Sequence, residues 1–418
     1  MSDVFIAGAC STRFKKWPDR DFRDLSREAV AGALTDAGLE SGGEVEGAWF
    51  GNCAMGVWGQ DNIRGQVALT PMMREGALNE RLPITNVEGG CATGSAALNG
   101  AFMAIASGQA DLVLALGVEK VFVPDDPVKT FGLFLGGVDQ RHPQEWETFL
   151  AEAGERGGQT FAPHPHRVMF LDVHAMQARQ HMATYGTTKA QLATIASKNH
   201  HHGSLNPLAQ YRFTVTPEAV LEDRPVVEPF TRGMCSPLSD GAAAVLLCSR
   251  RWLEGRSDTS AKDRAIRLRT SILMGGAWRE LGEDSVTRHA ATKAYDKSGL
   301  GPADVDIAEL HDSTAFCELY AAEALGFCET GEGGAYAESG ATAIGGERPL
   351  NTSGGLESKG HPLGATGLGM IDELVCQLRG EAGERQAGAP TVGLQQNAGG
   401  LIGFDEALCS VAILERDR

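Results

Sequence analysis

Short apolar runs alternate along the chain with amphipathic or small-residue segments. In the first part of the chain, apolar runs predict buried strands at 4–8, 47–52, 84–89 and 111–120. One helix is predicted at 24–38, and a second follows a glycine-rich turn and runs over about 91–107. Continuous apolar strands separated by helices are typical of an α/β protein whose strands are mostly buried.

The second part of the chain repeats this plan. The segment VTRHAATKAYDKSGL (286–300) resembles LSREAVAGALTDAGL (25–39), and each ends in Gly-Leu before a short loop and a strand. The turn SKGHPLGATG (358–367) opens a helix as the turn at Cys91 does, and a strand at 390–397 follows it. The repeat predicts a duplicated α/β fold in which each half contributes one turn to a shared active site.

The two halves are predicted at 1–255 and 256–418. The segment from 121 to about 230 is rich in Pro, His, Met and Gln and lacks the alternation of a strand. We interpret it as an insertion in the first half that covers one face of the fold, with helices at 172–185 and 188–199. Its Met- and His-rich part is expected to be a packed helix that lines an acyl tunnel or an interface.

Composition narrows the class of protein. The formal net charge of −17 argues against a nucleic-acid-binding role, which needs clustered Lys and Arg. The nine cysteines form no C-x-x-C pair, which is typical of free thiols in a reducing compartment. The N-terminus lacks the pattern of a signal peptide, and no apolar run reaches 18 residues, so we expect a cytoplasmic protein without a membrane segment.

The cysteine at position 91 stands in an unusual setting. Gly89 and Gly90 precede it, and Ala, Thr, Gly and Ser follow it at the predicted start of a helix. The positive end of a helix favours a thiolate, and glycines allow a substrate to approach closely. This pattern favours a nucleophile, and the alternative is a small core residue.

Two histidines occupy similar junctions between strands and helices. His361 lies in a glycine-rich loop that enters a helix, and His311 with Asp312 ends an apolar strand. A thiol nucleophile needs a base, and the ends of strands are where α/β sheets place their sites. The turn LQQNAGGLIG (394–403) offers backbone N–H groups for a developing oxyanion. The alternatives to these functional roles are that His361 only caps a helix, that Asp312 only caps a turn at the end of the strand, and that 394–403 is an ordinary tight turn.

These motifs together resemble the thiolase superfamily over the whole chain. The matching segments are EGGCATGSAAL, GQADLVLALGVEK, SKNHHHGSLNPLAQ, CSPLSDGAAAVLL and NTSGGLESKGHPLGATG. The combination of HD at 311–312 with LQQN at 394–397 is closest to the sterol-carrier-protein type of thiolase. The resemblance implies two βαβαβαββ halves in a five-layer αβαβα arrangement, with the insertion as the loop domain.

The resemblance also implies roles for single residues. Cys91 takes the acyl group as a thioester, and His361 accepts the proton of its thiol. His311 stands where most thiolases carry an Asn, and it helps to polarise the thioester carbonyl. The N–H groups of Cys91 and Gly399 form the oxyanion hole. A coenzyme A thioester is the substrate, and no permanently bound cofactor is expected.

The chain departs from the family where a second thiol moves the proton at the substrate α-carbon. Asn397 stands at one usual position of that thiol and Ser313 at the other, so these two are the polar candidates for the acid–base site. Cys317 lies four residues after Ser313, and we do not expect it to face the same pocket. The alternative is that His311, with an ordinary pKa near 6.5, moves this proton.

Two histidine-rich segments, HPH (164–166) and HHH (200–202), are weak metal candidates. Three consecutive side chains do not converge easily on one ion, and no Cys or acidic residue has ligand spacing near them. We therefore predict no metal site.

Three functions are consistent with the sequence. The first is a thiolase-type acyltransferase, similar to acetyl-CoA acetyltransferase, that cleaves or makes 3-ketoacyl-CoA. The second is a condensing or acyl-transfer enzyme of secondary metabolism with a Cys-His-His site. The third is a non-thiolytic partner or aldolase subunit that works with a small acyl-CoA-binding OB-fold or zinc-ribbon protein. The family implies a homodimer or a dimer of dimers.

Overall fold

The computed structural model describes residues 2–164 and 166–416, which form a mixed sheet surrounded and crossed by helices. The strands are β1 (Val4–Ser11), β2 (Gly47–Gly51), β3 (Ile84–Val87), β4 (Leu112–Glu119), β5 (Pro225–Val227), β6 (Phe230–Thr231), β7 (Gly241–Ser249), β8 (Ile266–Gly275), β9 (Ile307–Glu309), β10 (Val392–Gly399) and β11 (Leu408–Glu415).

The helices are α1 (Phe22–Asp36), α2 (Arg64–Arg74), α3 (Thr93–Ala106), α4 (Pro127–Gly132), α5 (Pro143–Arg156), α6 (Met169–Tyr185), α7 (Lys189–Ser204), α8 (Pro217–Glu222), α9 (Arg250–Gly255), α10 (Thr259–Arg264), α11 (Val286–Ser298), α12 (Ala315–Ala324), α13 (Gly333–Glu338), α14 (Gly355–Lys359) and α15 (Leu363–Arg379). Within the described residues, none of these helices has both the length and the apolar character needed to cross a membrane.

The main sheet joins the two halves of the chain. Its strand order is β3-β2-β4-β7-β1-β8-β11-β10-β9, so the first five strands come from one half and the last four from the other. The halves meet where β1 pairs with β8, through Phe5 with Arg267 and Ile6 with Ile266. The first half has the predicted βαβαβαββ order around its insertion. In the second half, the third strand is reduced to a single bridge between Leu350 and Ala308.

Alternate residues of the strands point into separate cores, and this produces five layers. Phe5 of β1 packs toward α1 and α2, whereas its neighbour Ile6 packs toward α3 and α15. A third core lies between the strands of the second half and the helices α11 and α12. The outer layers are α1 with α2 on one side and α11 with α12 on the other. The central layer is α3 with α15, and the strands of the two halves form the two layers between. This is the predicted αβαβα arrangement.

The two central helices approach each other through glycines. A Cβ at Gly94 of α3 would lie 2.8 Å from the carbonyl oxygen of Gly364, and one at Gly367 of α15 would lie 2.1 Å from Ser95 Oγ. Larger side chains would force the helices apart, so the small residues after Cys91 serve this packing. The N-termini of both helices are thereby held at the same edge of the sheet.

Most predicted elements are present with ends shifted by a few residues. The insertion is mainly helical, as expected, and α6 and α7 cover 169–185 and 189–204. It also contains the small β5-β6 hairpin, which the sequence did not predict. The boundary at 255 stays a prediction.

Candidate functional site

Three side chains from distant parts of the sequence meet at one point. Cys91 Sγ and one ring nitrogen each of His311 and His361 lie within 4.8 Å of one another. The two imidazole rings are nearly perpendicular, at 85°, with centroids 5.1 Å apart. The sequence-predicted nucleophile and both predicted histidines are therefore brought together.

The turn that carries Cys91 needs its glycines. Gly90 has φ of 57°, in the left-handed region, and a Cβ there would lie 2.7 Å from the backbone nitrogen of Gly400. Thr93 closes the turn, since its Oγ1 donates to Gly90 O at 2.7 Å and accepts from Gly89 N at 2.8 Å. The cysteine is thus fixed two residues before α3 begins.

The Cys91 thiol is neutral at neutral pH, contrary to the expectation of a thiolate. Burial and the nearby carboxylate of Glu119 raise the pKa of Cys91 to about 12. The helix start does favour the anion, but loss of hydration costs more in this setting. For this sulfur to act as a nucleophile, a base must therefore remove its proton.

His361 has the tautomer of such a base. Thr366 Oγ1 donates its hydrogen to the carbonyl oxygen of Pro362, so it can only accept from His361 Nδ1, 2.7 Å away. This places the ring proton on Nδ1 and leaves Nε2 bare. Nε2 is buried and has no hydrogen-bond partner. Burial also lowers the pKa of His361 to about 3, so the ring is neutral.

His311 has the opposite tautomer. Gln395 Nε2 donates to Ser95 Oγ at 2.7 Å, and the Ser95 hydroxyl donates to Asn397 Oδ1 at 2.9 Å. The Asn397 amide nitrogen consequently faces His311 Nδ1 at 2.9 Å, and that ring nitrogen must accept. The ring proton of His311 is therefore on Nε2.

The pKa of His311 also differs from the ordinary value. Burial, with the neighbouring His361 and His174 rings, lowers it well below its usual range. His311 is therefore a neutral hydrogen-bond donor, and its pKa is not the value near 6.5 considered from the sequence. The two histidines therefore differ in what they can do: His361 can accept a proton, and His311 can donate a hydrogen bond.

A thiol and two imidazoles are also ligands that Zn²⁺ accepts. In this arrangement the lone pair of His311 Nδ1 accepts from Asn397, and its Nε2 carries the proton. Neither nitrogen of His311 is then free to bind a metal. The hydrogen bonds fit acid–base chemistry better than a metal centre.

Gly399 lies against the start of α3. A Cβ at this position would be 2.3 Å from the backbone nitrogen of Cys91 and 2.5 Å from that of Ala92. Only glycine permits this close approach of the two backbones. This is the location at which the sequence predicts an oxyanion hole.

Asp312 links the two histidine loops. Its fully buried carboxylate accepts from the backbone nitrogen of Leu356 at 2.7 Å and from Asn199 Nδ2 at 3.0 Å. Leu356 belongs to α14, which immediately precedes His361. The residue following His311 therefore fixes the loop that positions His361.

Cys91, His311 and His361 line a cavity that opens to solvent. Its wall is mainly apolar and aromatic, with contributions from Phe134, Phe170, Leu171, Pro237, Leu238, Phe316, Tyr320, Leu401 and Phe404. Residues of α6 form part of this wall, as the interpretation of the Met- and His-rich segment anticipated. Cys91 therefore faces a mainly apolar space.

The polar candidates lie in different places. Ser313 lines the cavity, whereas Asn397 is fully buried behind His311. The expectation for Cys317 is wrong, because Cys317 lines the same cavity. It stands in the first turn of α12, and helical side chains lean toward the N-terminus of their helix, which here is the cavity side.

Sequence reasoning missed three polar residues at the site. Thr366 and Ser95 fix the two tautomers, and His174 of α6 lines the cavity. The i, i+5 spacing of His361 and Thr366 at a helix start was a local signal for the first. No local pattern indicates the other two, because their partners are far away in the sequence. The predicted HPH segment includes residue 165, which lies outside the described residues.

Two family models match most of the chain. The family model described as "Thiolase, N-terminal domain" matches residues 4–226, and "Thiolase C-terminal domain-like" matches residues 276–415. The acetyl-CoA acetyltransferase of Methanothermobacter thermautotrophicus is 38% identical over 408 residues, which cover 96% of this chain and 98% of that protein.

Two further similarities cover nearly the whole chain. Sterol carrier protein 2 of Rattus norvegicus is 36% identical over 406 residues, covering 95% of this chain and 70% of that protein. The solved structure of the Ltp2-ChsH2(DUF35) aldolase superposes with a TM-score of 0.77 at 25% identity, covering 100% of this chain and 98% of that one.

Proposed function

The chain belongs to the thiolase family and is an acyltransferase, and we propose that it forms an acyl-enzyme on Cys91 while cleaving or making 3-ketoacyl-CoA. The observation that carries this proposal is the meeting of Cys91 Sγ with the ring nitrogens of His311 and His361 within 4.8 Å. The apolar cavity beside them supplies a place for the acyl chain.

His361 activates the nucleophile. The thiol of Cys91 transfers its proton to the bare Nε2 of His361 as the sulfur attacks the substrate carbonyl carbon. Thr366 supports this transfer, because its oxygen accepts from the Nδ1–H that becomes more acidic when the ring is protonated. A neutral thiol beside a neutral imidazole needs no separated charges before substrate is bound.

The negative charge that develops on the carbonyl oxygen needs donors. His311 Nε2–H is one donor, held in place by the hydrogen bond to Asn397. The N–H groups of Cys91 and Gly399 form the second site, at the point where the two backbones approach each other closely. Coenzyme A thioesters are the proposed substrates, and no permanently bound cofactor takes part in these steps.

A second candidate is a condensing or acyl-transfer reaction that uses the Cys-His-His site alone. It is favoured by the residues at the two positions where the family usually carries its second thiol, because Ser313 and Asn397 offer none. A non-thiolytic aldolase subunit with a small acyl-CoA-binding partner is less well supported, since Cys91 is intact. A homodimer or dimer of dimers in the cytoplasm stays a prediction.

Intact-mass spectrometry tests the acyl-enzyme. The protein is incubated with a panel of acyl-CoAs of increasing chain length, and the mass of one acyl group should appear on the native chain. Cys91→Ser should not gain it, whereas Cys328→Ser, which changes a half-buried cysteine away from the cavity, should gain it normally. An adduct of normal yield on Cys91→Ser would exclude Cys91 as the nucleophile.

A further inference from the structure

The cavity contains a second thiol–imidazole pair that Cys91 acylation does not use. Cys317 Sγ lies 3.5 Å from Nδ1 of His174, although the two residues come from α12 and α6. Both side chains line the same cavity as Cys91. The pair is therefore accessible to a substrate bound at the nucleophile.

Polar groups surround this thiol on the cavity side. Thr314 Oγ1 lies 3.2 Å and Ser313 Oγ 3.6 Å from Cys317 Sγ, so hydroxyl groups as well as the imidazole can stabilise a thiolate. Glu406 also lines the cavity, and its Oε2 is buried without a hydrogen-bond partner. These groups form a polar region in a wall that is otherwise mainly aromatic.

The pair is neutral when no substrate is bound. Burial raises the pKa of Cys317, with the hydroxyls of Thr314 and Ser313 acting in the opposite direction. Burial lowers the pKa of His174 to about 4, and the carboxylate of Glu406 only partly offsets this effect. The shared proton consequently stays on sulfur, in the form that can protonate a carbanion.

We propose that Cys317, positioned by His174, is the group that moves the proton at the substrate α-carbon. This inference rests on the proposed thiolase-type function and assigns its carbon acid–base step. Asn397 cannot take that role because it is buried and bonded to His311. The alcohol of Ser313 is a far weaker acid than a thiol, so it matches the step poorly at neutral pH.

The step balances in the direction of cleavage. Cys91 Sγ adds to the 3-keto carbon of the substrate, and its proton goes to His361. The bond between C2 and C3 then breaks, the electron pair stays on C2 as the enolate of acetyl-CoA, and the proton of Cys317 goes to C2. Incoming coenzyme A gives its thiol proton to the Cys317 thiolate, its sulfur takes the acyl group, and Cys91 recovers its proton from His361.

Exchange of the methyl protons of acetyl-CoA in D₂O isolates this step. Deuterium in acetyl-CoA is measured by mass spectrometry for the native protein, Cys317→Ala and the control Cys328→Ala. We expect Cys317→Ala to lose exchange by at least about 10²-fold, the lower range for a positioned acid or base. Cys328→Ala should exchange at the native rate. The rate of Cys91 acylation in Cys317→Ala, measured by intact-mass spectrometry, should stay within about twofold of the native rate, because that step uses His361.

His174 is tested by a conservative replacement. His174→Leu should slow exchange, and His174→Asn, which retains a polar nitrogen near Sγ, should recover part of the rate. A role in packing alone would make the two variants equal, and that result would overturn the positioning assignment.

Two results would overturn the proposal for Cys317. One is exchange at the native rate in Cys317→Ala, and the other is a native protein that acylates Cys91 but exchanges no methyl protons. Exchange is also compared between Cys91→Ser and the double variant with Cys317→Ala. That comparison tests Cys317 in a protein that forms no acyl-enzyme on Cys91. A failure of the Cys91 assignment can therefore be distinguished from a failure of the Cys317 assignment.

Discussion

The amide nitrogen of Asn397 lies 2.9 Å from Nδ1 of His311, and this contact decides which nitrogen of the catalytic-site ring carries its proton. A carboxylate at 397 would only accept hydrogen bonds, so it would draw the ring proton to Nδ1 and leave Nε2 bare. The hydrogen-bond donor toward the cavity would then be lost.

Asn397→Asp should therefore reduce the rate of acetoacetyl-CoA thiolysis by roughly 10²- to 10³-fold, as removal of one oxyanion donor does. The ¹⁵N chemical shifts of the His311 ring nitrogens should show the change of tautomer. Asn99→Asp is the control, because Asn99 lies on α3 and bonds Ser271 away from the cavity. Native thiolysis in Asn397→Asp would contradict the assigned role of the amide.

Thr366→Val removes the oxygen that holds His361 in its base tautomer while keeping the shape of the side chain. A net hydrogen bond of about 1–1.5 kcal/mol corresponds to roughly a tenfold change in rate. We expect acylation of Cys91 from acetyl-CoA to slow by about that factor, measured by rapid quench and intact mass. If acylation were as fast as in the native protein, His361 would not depend on Thr366 for its orientation.

With the base removed in His361→Ala, alkylation of Cys91 by iodoacetamide should increase steeply with pH. A pKa raised to about 12 means that the neutral thiol predominates through pH 9, so the rate should increase roughly tenfold per pH unit between 7 and 9. The rate of alkylation of glutathione in the same sample should begin to level off near the ordinary thiol pKa of about 8.5. Peptide mass analysis gives the rate for Cys91 itself, and a plateau below pH 8 would indicate a thiolate instead.

Gly399→Ala should abolish most of the thiolase activity. Its new Cβ would lie 2.3 Å from the backbone nitrogen of Cys91, and a backbone atom at a fixed turn cannot move away easily. We expect a fall on the order of 10²-fold or more in thiolysis, together with a lower melting temperature. Gly393→Ala on the same strand is the matched control, since its nearest neighbour is a leucine methyl at 3.2 Å. Equal activities of the two variants would contradict the predicted oxyanion hole.

Local patterns were enough to predict much of the fold and to select Cys91, His311 and His361, which the structure brings together. The Gly-Gly-Cys turn works through a left-handed glycine and a close approach to Gly400, both of which are visible as small residues in the sequence. The strands alternate between two cores, so their apolar runs are long and easily recognised. The weak third strand of the second half left little pattern to find.

Charge and distance could not be predicted in the same way. The pKa of Cys91 depends on how much of the folded protein covers the sulfur. The position at the start of a helix predicts a lowered pKa, whereas burial raises it. Cys317 was rejected on its separation along the chain, whereas the direction of side chains on α12 brings it back over Ser313 and Thr314. Its partner His174 is 143 residues away, beyond the reach of any local motif.

The neutral state of Cys91 also bears on how this protein withstands oxidants. Peroxides react with thiolates far faster than with thiols, and the products beyond sulfenic acid are not readily reversed. A nucleophile that loses its proton only while attacking a thioester exposes almost no anion between turnovers. In the mechanism that we propose, the burial that makes acylation depend on His361 therefore also protects the sulfur from oxidation between turnovers.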